Sequence, residues 1–198
     1  MARKKNHIDM RDELIEAALP HVPFEGWTTD ILEKAALACG YDTAMATALF
    51  PGGVGDALDA FADRTDRAML TQIKQSADAD MRIRDHIHKA IMTRFEILQP
   101  HREAERLALA YWVLPHHAPR ATKIVWRTAD RIWKQAGDTA TDYNRYTKRG
   151  LLSGILGAAT LAWLNDNNAD MHITDAFVAR RIENVMQLGR VLGRMKKA

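Results

Sequence analysis

Apolar residues recur at spacings of three and four along almost the whole chain, and no stretch alternates apolar with polar residues as a half-buried strand would. The six prolines, at 20, 23, 51, 100, 115 and 119, fall where this periodicity stops or restarts. The pattern predicts an all-α fold of about nine helices: 10–19, 28–38, 43–50, 56–76, 81–98, 101–114, 121–136, 143–164 and 173–195. Thr28 and Asp42 stand as N-caps and Gly40 as a helix stop. The apolar stripes are Leu14, Ala17 and Ala18; Leu58, Phe61, Met69 and Ile73; Ile83, Ile87, Ile91, Phe95 and Leu98; and Val178, Ile182, Val185 and Leu192. No repeat, linker or low-complexity segment divides the 198 residues, so one domain over 1–198 is expected.

One stretch departs from this amphipathic pattern. Gly150 to Leu164 carries no charge and only two hydroxyls, Ser153 and Thr160. At fifteen residues it is too short to span a bilayer, and a helix apolar all round is expected to be buried on every side. Gly150, Ser153, Gly154 and Gly157 lie on one face. Glycine inside a helix costs roughly 1 kcal/mol against alanine. Close packing of another helix would account for that cost, and so would an apolar ligand groove. Such a groove would be lined by Leu152, Gly154 and Ile155, with Trp126 and Trp133, seven residues apart on one face of the preceding helix.

The polar block before this run, 138–149, supplies a candidate mouth. Asp142, Arg145, Tyr146 and Arg149 are spaced to share a helix face. Tyr and Arg are enriched at binding hot spots, and Arg149 stands where the head of a bound amphiphile would meet water. A solvated Asp142–Arg145 pair is the plainer reading of the same spacing.

Composition narrows the classes. Hydrophobic content of 47% and a net charge of +3 describe a globular chain with a core and no strong pull toward nucleic acid. Cys39 is alone and shares a stripe with Ile31, Leu32, Ala35 and Ala36, so it is expected to be a buried small hydrophobe. The first residues, MARKKNHIDMRDE, lack a signal-peptide apolar core, which favours a cytoplasmic protein. No Glu has a His three residues on, His86 and His88 point to different faces, and His116 and His117 sit in a turn. There is no phosphate loop or nucleophile elbow, so neither an enzyme nor a cofactor or metal site is expected.

Leu14-Ile15-Glu16-Ala17-Ala18-Leu19, Gly26-Trp27-Thr28, Leu32, Ala35-Ala36, Gly40, Leu49-Phe50-Pro51 and Leu58 resemble the DNA-binding head of the TetR repressor family, placing a helix-turn-helix-like head at 10–50 and a body at 56–198. The chemistry of that head is absent. No basic residue lies between Lys34 and Arg64, whereas Asp42, Asp56, Asp59 and Asp63 do, and 42–50 offers no Arg, Lys, Asn or Gln to read a base edge. A degenerate head that binds no nucleic acid is expected. The alternative is a ligand-responsive transcriptional regulator of TetR type.

A second resemblance covers nearly the whole chain. It is carried by Arg11-Asp12, 17–24, Leu49-Phe50-Pro51-Gly52-Gly53, Arg82-Ile83-Arg84, Pro100-His101-Arg102-Glu103 and Trp126-Arg127-Thr128. Most specific are Gly137-Asp138-Thr139, Thr141-Asp142, Asn144, Tyr146-Thr147 and Arg149, with Phe177, Arg181-Ile182 and Val185-Met186 following. These residues resemble the ubiquinone-biosynthesis accessory family, the ninth of the Coq proteins, in its alphaproteobacterial form. The resemblance implies a TetR-like fold without repressor activity that binds an isoprenoid lipid or quinone intermediate in an internal cavity. It implies association with the demethoxyubiquinone hydroxylase, presentation of a membrane-resident substrate, a homodimer, and a peripheral place on the cytoplasmic face of the inner membrane. In the family a tryptophan-tyrosine pair helps form the partner surface; here Arg145 stands for the tryptophan beside Tyr146. The arginine matching Arg149 is associated with lipid head groups. The family's eukaryotic members continue into an amphipathic membrane-binding helix, whereas this sequence stops at 189–198, where Leu192 and Met195 beside Arg190, Arg194, Lys196 and Lys197 could rest on an anionic surface.

Overall fold

The computed structural model describes residues 6–75, 81–139 and 143–195, with side chains throughout except at 143–144 and 188–195. All nine expected helices are present among them, joined by two single turns that periodicity does not reveal, the short helix Val22–Glu25 and a 3-10 turn at Gln99–His101. In chain order they are α1 (His7–Ala18), α2 (Val22–Glu25), α3 (Thr29–Ala38), α4 (Thr43–Leu49), α5 (Val54–Gln75), α6 (Ile83–Leu98), α7 (Arg102–Trp112), α8 (Ala118–Gln135), α9 (Tyr143–Asn165) and α10 (His172–Met195). Differences at the ends have local causes. α1 starts early because Asn6 and Asp9 form a reciprocal cap, the Asp9 N–H donating to Asn6 Oδ1 at 2.9 Å and the Asn6 N–H to Asp9 Oδ2 at 3.3 Å. Pro23 and Pro119 sit in the first turns of α2 and α8, where a missing N–H costs nothing, so they lie within helices rather than outside them.

The chain forms two compact units. The first comprises the residues up to Arg67 together with Leu98–Ala121. In it α1 packs on α3 and α4, burying Leu14, Ile15, Ile31, Leu32, Ala35, Leu49 and Phe50. Thr28 caps α3 by accepting the Ile31 N–H at 3.2 Å, and Asp42 caps α4 by accepting the Met45 N–H at 2.9 Å. Gly40 closes α3 at φ 79°, a left-handed geometry that costs glycine little. The Trp27 indole donates to the Ala104 carbonyl at 2.9 Å, and Arg67 forms a two-pronged ion pair with Asp12 at 2.7 and 2.9 Å. Cys39 is half-buried rather than buried: it is the C-cap of α3, and its Sγ lies 3.6 Å from the Glu13 carbonyl.

The second unit comprises Ala68–Ile97 and the residues from Thr122 onward. Its centre is Phe95 stacked on Trp163, with centroids 5.2 Å apart and both rings fully buried. Met69, Ile73, Ile87, Ile91, Ile132, Leu152, Leu156, Ala159, Val178 and Ile182 pack around them. Ile83, placed by spacing on the α6 stripe, is instead exposed, one turn before the stripe meets the core.

α9 corrects the expectation of burial on every side. Its inward positions, Leu152, Ile155, Leu156, Ala159 and Trp163, form an ordinary amphipathic stripe. Gly150, Leu151, Gly154, Gly157 and Leu161 face outward. A Cβ built on Gly150, Gly154 or Gly157 meets nothing within 4 Å, so these glycines do not admit a closely packed neighbour within the chain. The turn after α9 is held by Asp166, a buried carboxylate that accepts the Thr174 N–H and hydroxyl, both at 2.8 Å, and the Asn168 N–H and amide. Burial alone would raise the Asp166 pKa, but bonds from Asn168 and Thr174 hold it well below the ordinary carboxylate value.

Candidate functional site

The site lies in the second unit and is built by the hairpin of α8 and α9. α8 ends at Gly137, whose φ of 85° lets the Asp138 N–H reach back to the Trp133 carbonyl at 3.0 Å and the Gly137 N–H to the Lys134 carbonyl at 3.1 Å. That termination fixes Trp133. Its indole Nε1 then donates to the Lys148 carbonyl on α9 at 3.0 Å, joining the two helices.

Arg149 locks the hairpin. It is only 1% exposed, and its guanidinium Nε donates to Asp130 Oδ1 at 2.6 Å while Nη1 donates to Asp138 Oδ2 at 3.0 Å. Lys134 pairs with Asp130, and Lys148 with Asp138, each at 2.7 Å; Arg145 lies 3.7 Å from Asp130. Burial disfavours the charged form of Arg149, yet the bonds to Asp130 and Asp138 outweigh it and raise its pKa. Burial likewise pushes Asp130 up, and its bonds with Lys134 and Arg149 bring it below its ordinary value. Arg149 therefore does not stand at a mouth in water. Its side chain is buried whereas Tyr146, three residues before it, is 62% exposed, so the two do not form one contact face.

Beside this lock is an apolar pocket of about 360 Å³. Trp133, Leu151, Leu152 and Ile155 line it from α8 and α9, Ile87 from α6, and Ile182, Val185 and Met186 from α10; Thr147 and Lys148 are its polar members. The Lys148 ammonium sits 5.2 Å from the centre of the Trp133 ring.

Of the residues expected to line a lipid groove, Trp133, Leu152 and Ile155 line this apolar pocket. Trp126 instead packs near Tyr146, at 6.2 Å between centroids, and Gly154 is on the outer face of α9. Asp142 lies outside the described residues. Sequence reasoning missed Lys148, Asp130 and Asp138 as site residues. The α10 wall carried a signal, since Ile182, Val185 and Met186 repeat at three and four. Among the described residues no group of three His, Cys, Asp or Glu side chains could hold a metal ion.

These elements define an all-helical protein of TetR-like fold. The fold is similar to that of the TetR transcriptional regulator from Nitrosomonas europaea, with a TM-score of 0.68, 20% identity, and coverage of 88% of this chain and 96% of that one. Residues 118–189 match the model of the COQ9 family. It is similar to the ubiquinone biosynthesis protein COQ9, mitochondrial, of Homo sapiens, at 28% identity over 94% of this chain and 61% of that protein. The Bos taurus protein is 28% identical over 94% of this chain and 60% of its own length, and that of Drosophila melanogaster 27% over 92% and 57%. The chain thus spans about three-fifths of the length of these curated relatives. Among the described pocket-lining residues, all but Ile87 lie in the matched segment, 118–189.

Proposed function

We propose that this chain is a non-enzymatic accessory protein of ubiquinone biosynthesis that binds an isoprenoid quinone intermediate and helps present it to the demethoxyubiquinone hydroxylase. The observation that carries this reading is the apolar pocket beside the α8–α9 hairpin, within the size range of small-molecule sites. Each buried CH₂ contributes about 0.8 kcal/mol, so an isoprenoid tail supplies affinity without polar anchors. The names of the relatives supply the pathway. Arg149 positions the pocket wall rather than meeting the ligand. Tyr146, exposed and backed by Trp126, is the proposed hydroxylase contact, with Arg145 at its edge.

Membrane contact in this reading is peripheral: no helix among the described residues is long and apolar enough to cross a bilayer. The outward stripe Gly150, Leu151, Gly154, Gly157 and Leu161 supports a face on which the hydroxylase or a second copy of the chain lies.

The fold also suits a transcriptional regulator. Against this, α4 turns Thr43, Ala44, Thr47 and Ala48 to solvent and carries no cation. Titration with a ubiquinone bearing a short isoprenoid tail, read by tryptophan fluorescence, tests the proposal. Wild type should bind, and Ile155→Trp, which places an indole in the pocket, should lose about tenfold or more in affinity. Equal binding by the folded variant would place the ligand elsewhere.

A further inference from the structure

We infer that Lys148 selects the head of the bound molecule, and that the pocket takes amphiphiles with an anionic oxygen head in preference to neutral ones. This rests on the proposed lipid pocket and names the chemistry at its mouth. Among the described lining residues only Thr147 and Lys148 are polar, and they adjoin in sequence, so they mark a polar end of the pocket. Arg149 is spent on Asp130 and Asp138 inside the hairpin and is not among the lining residues.

Lys148 differs from Arg149 in each respect. Its side chain is 39% exposed and lines the pocket. An ammonium has three N–H donors. Asp138 Oδ1 takes one at 2.7 Å, and the face of Trp133, itself a pocket wall, lies 5.2 Å away, so the cation is held at the pocket rim. The surrounding charge is unbalanced. Among the described residues of this cluster, Lys134, Arg145, Lys148 and Arg149 face only Asp130 and Asp138, leaving two excess positive charges. The Lys148 ammonium at the polar end of an apolar pocket, within a cluster of more cations than carboxylates, complements a phosphate, carboxylate or phenolate and gives a neutral alcohol no comparable gain.

The test titrates purified protein calorimetrically with dodecyl phosphate and with dodecanol, both below their aggregation concentrations, with inorganic phosphate as competitor. Wild type should prefer dodecyl phosphate by about tenfold. Lys148→Met keeps the apolar stem and removes the charge; it should abolish the preference by weakening the phosphate amphiphile while dodecanol affinity changes less than about twofold. Lys148→Arg should retain the preference. Inorganic phosphate should not compete at equal concentration, since the tail supplies most of the affinity. Equal affinity of wild type for the two heads, or a preference that survives in Lys148→Met, overturns the inference and leaves the apolar pocket standing. Binding of neither amphiphile overturns the pocket reading and this inference with it.

Discussion

Replacing Arg149 by alanine should lower the stability of the second unit rather than simply empty the pocket. The side chain is 1% exposed and donates to Asp130 at 2.6 Å and to Asp138 at 3.0 Å, so its removal leaves two carboxylates without the cation between them. Breaking a buried ion pair by removing one partner costs about 3–5 kcal/mol. The lower end applies here, because Lys134 and Lys148 still sit 2.7 Å from Asp130 and Asp138. At roughly 3 kcal/mol, and about 2–4 °C per kcal/mol for a chain of this size, the melting temperature should fall by about 6–12 °C. Thermal unfolding followed by circular dichroism at neutral pH reads this directly. Adding Asp138→Ala should cost less than the sum of the two single changes, by about 1 kcal/mol. A shift below about 2 °C, with lipid binding lost, would refute the reasoning, since Arg149 would then act on the ligand and not as the bolt of the hairpin.

Three further outcomes follow from named contacts. Tyr146→Ala should weaken association with the hydroxylase by about 2 kcal/mol and leave the melting temperature almost unchanged, because the ring is exposed; equal dissociation constants for wild type and variant would move the partner surface elsewhere. Gly154→Ala should stabilise the chain by about 0.5–1 kcal/mol in urea unfolding, since its Cβ meets nothing within 4 Å and alanine favours the helix; a destabilised variant would mean that this face is covered. Asp166→Asn should cost about 1–3 kcal/mol at neutral pH by disturbing four hydrogen bonds. The folded pKa of Asp166 lies below the ordinary 3.8, so its contribution is full above that value and is lost as pH falls through it toward the folded one. The gap between wild type and Asp166→Asn should therefore shrink in acid, and a gap independent of pH would show that the carboxylate charge plays no part.

Local rules in the sequence account for most of the helices. Thr28, Asp42 and Gly40 act as caps and stop where they stand, because capping depends on neighbours within a few residues. The stripe of α5, Leu58, Phe61, Met69 and Ile73, is buried as its spacing predicts. The misreading of α9 has a physical source. Periodicity reports which positions are apolar, and glycine is silent on which side of a helix faces solvent, so an outer face of Gly150, Gly154 and Gly157 reads as interior. The site was half legible for a similar reason. Trp133, Leu152 and Ile155 stood out as apolar positions near a polar block. The fate of Arg149 depends on Asp130 and Asp138, which come from the far side of a helix turn and reach it only once Gly137 has closed α8. Spacing along one helix cannot carry that information, and it is what separates a buried bolt at Arg149 from a rim cation at Lys148.

The central claim is that the second unit houses an apolar molecule. Organic extraction of the purified chain followed by mass spectrometry tests it most directly, with Ile155→Trp carried through the same preparation. The account predicts an isoprenoid lipid released from wild type at close to one per chain, and little from a variant that still unfolds cooperatively. Wild type that yields no such lipid, or a folded variant that yields as much, would contradict it.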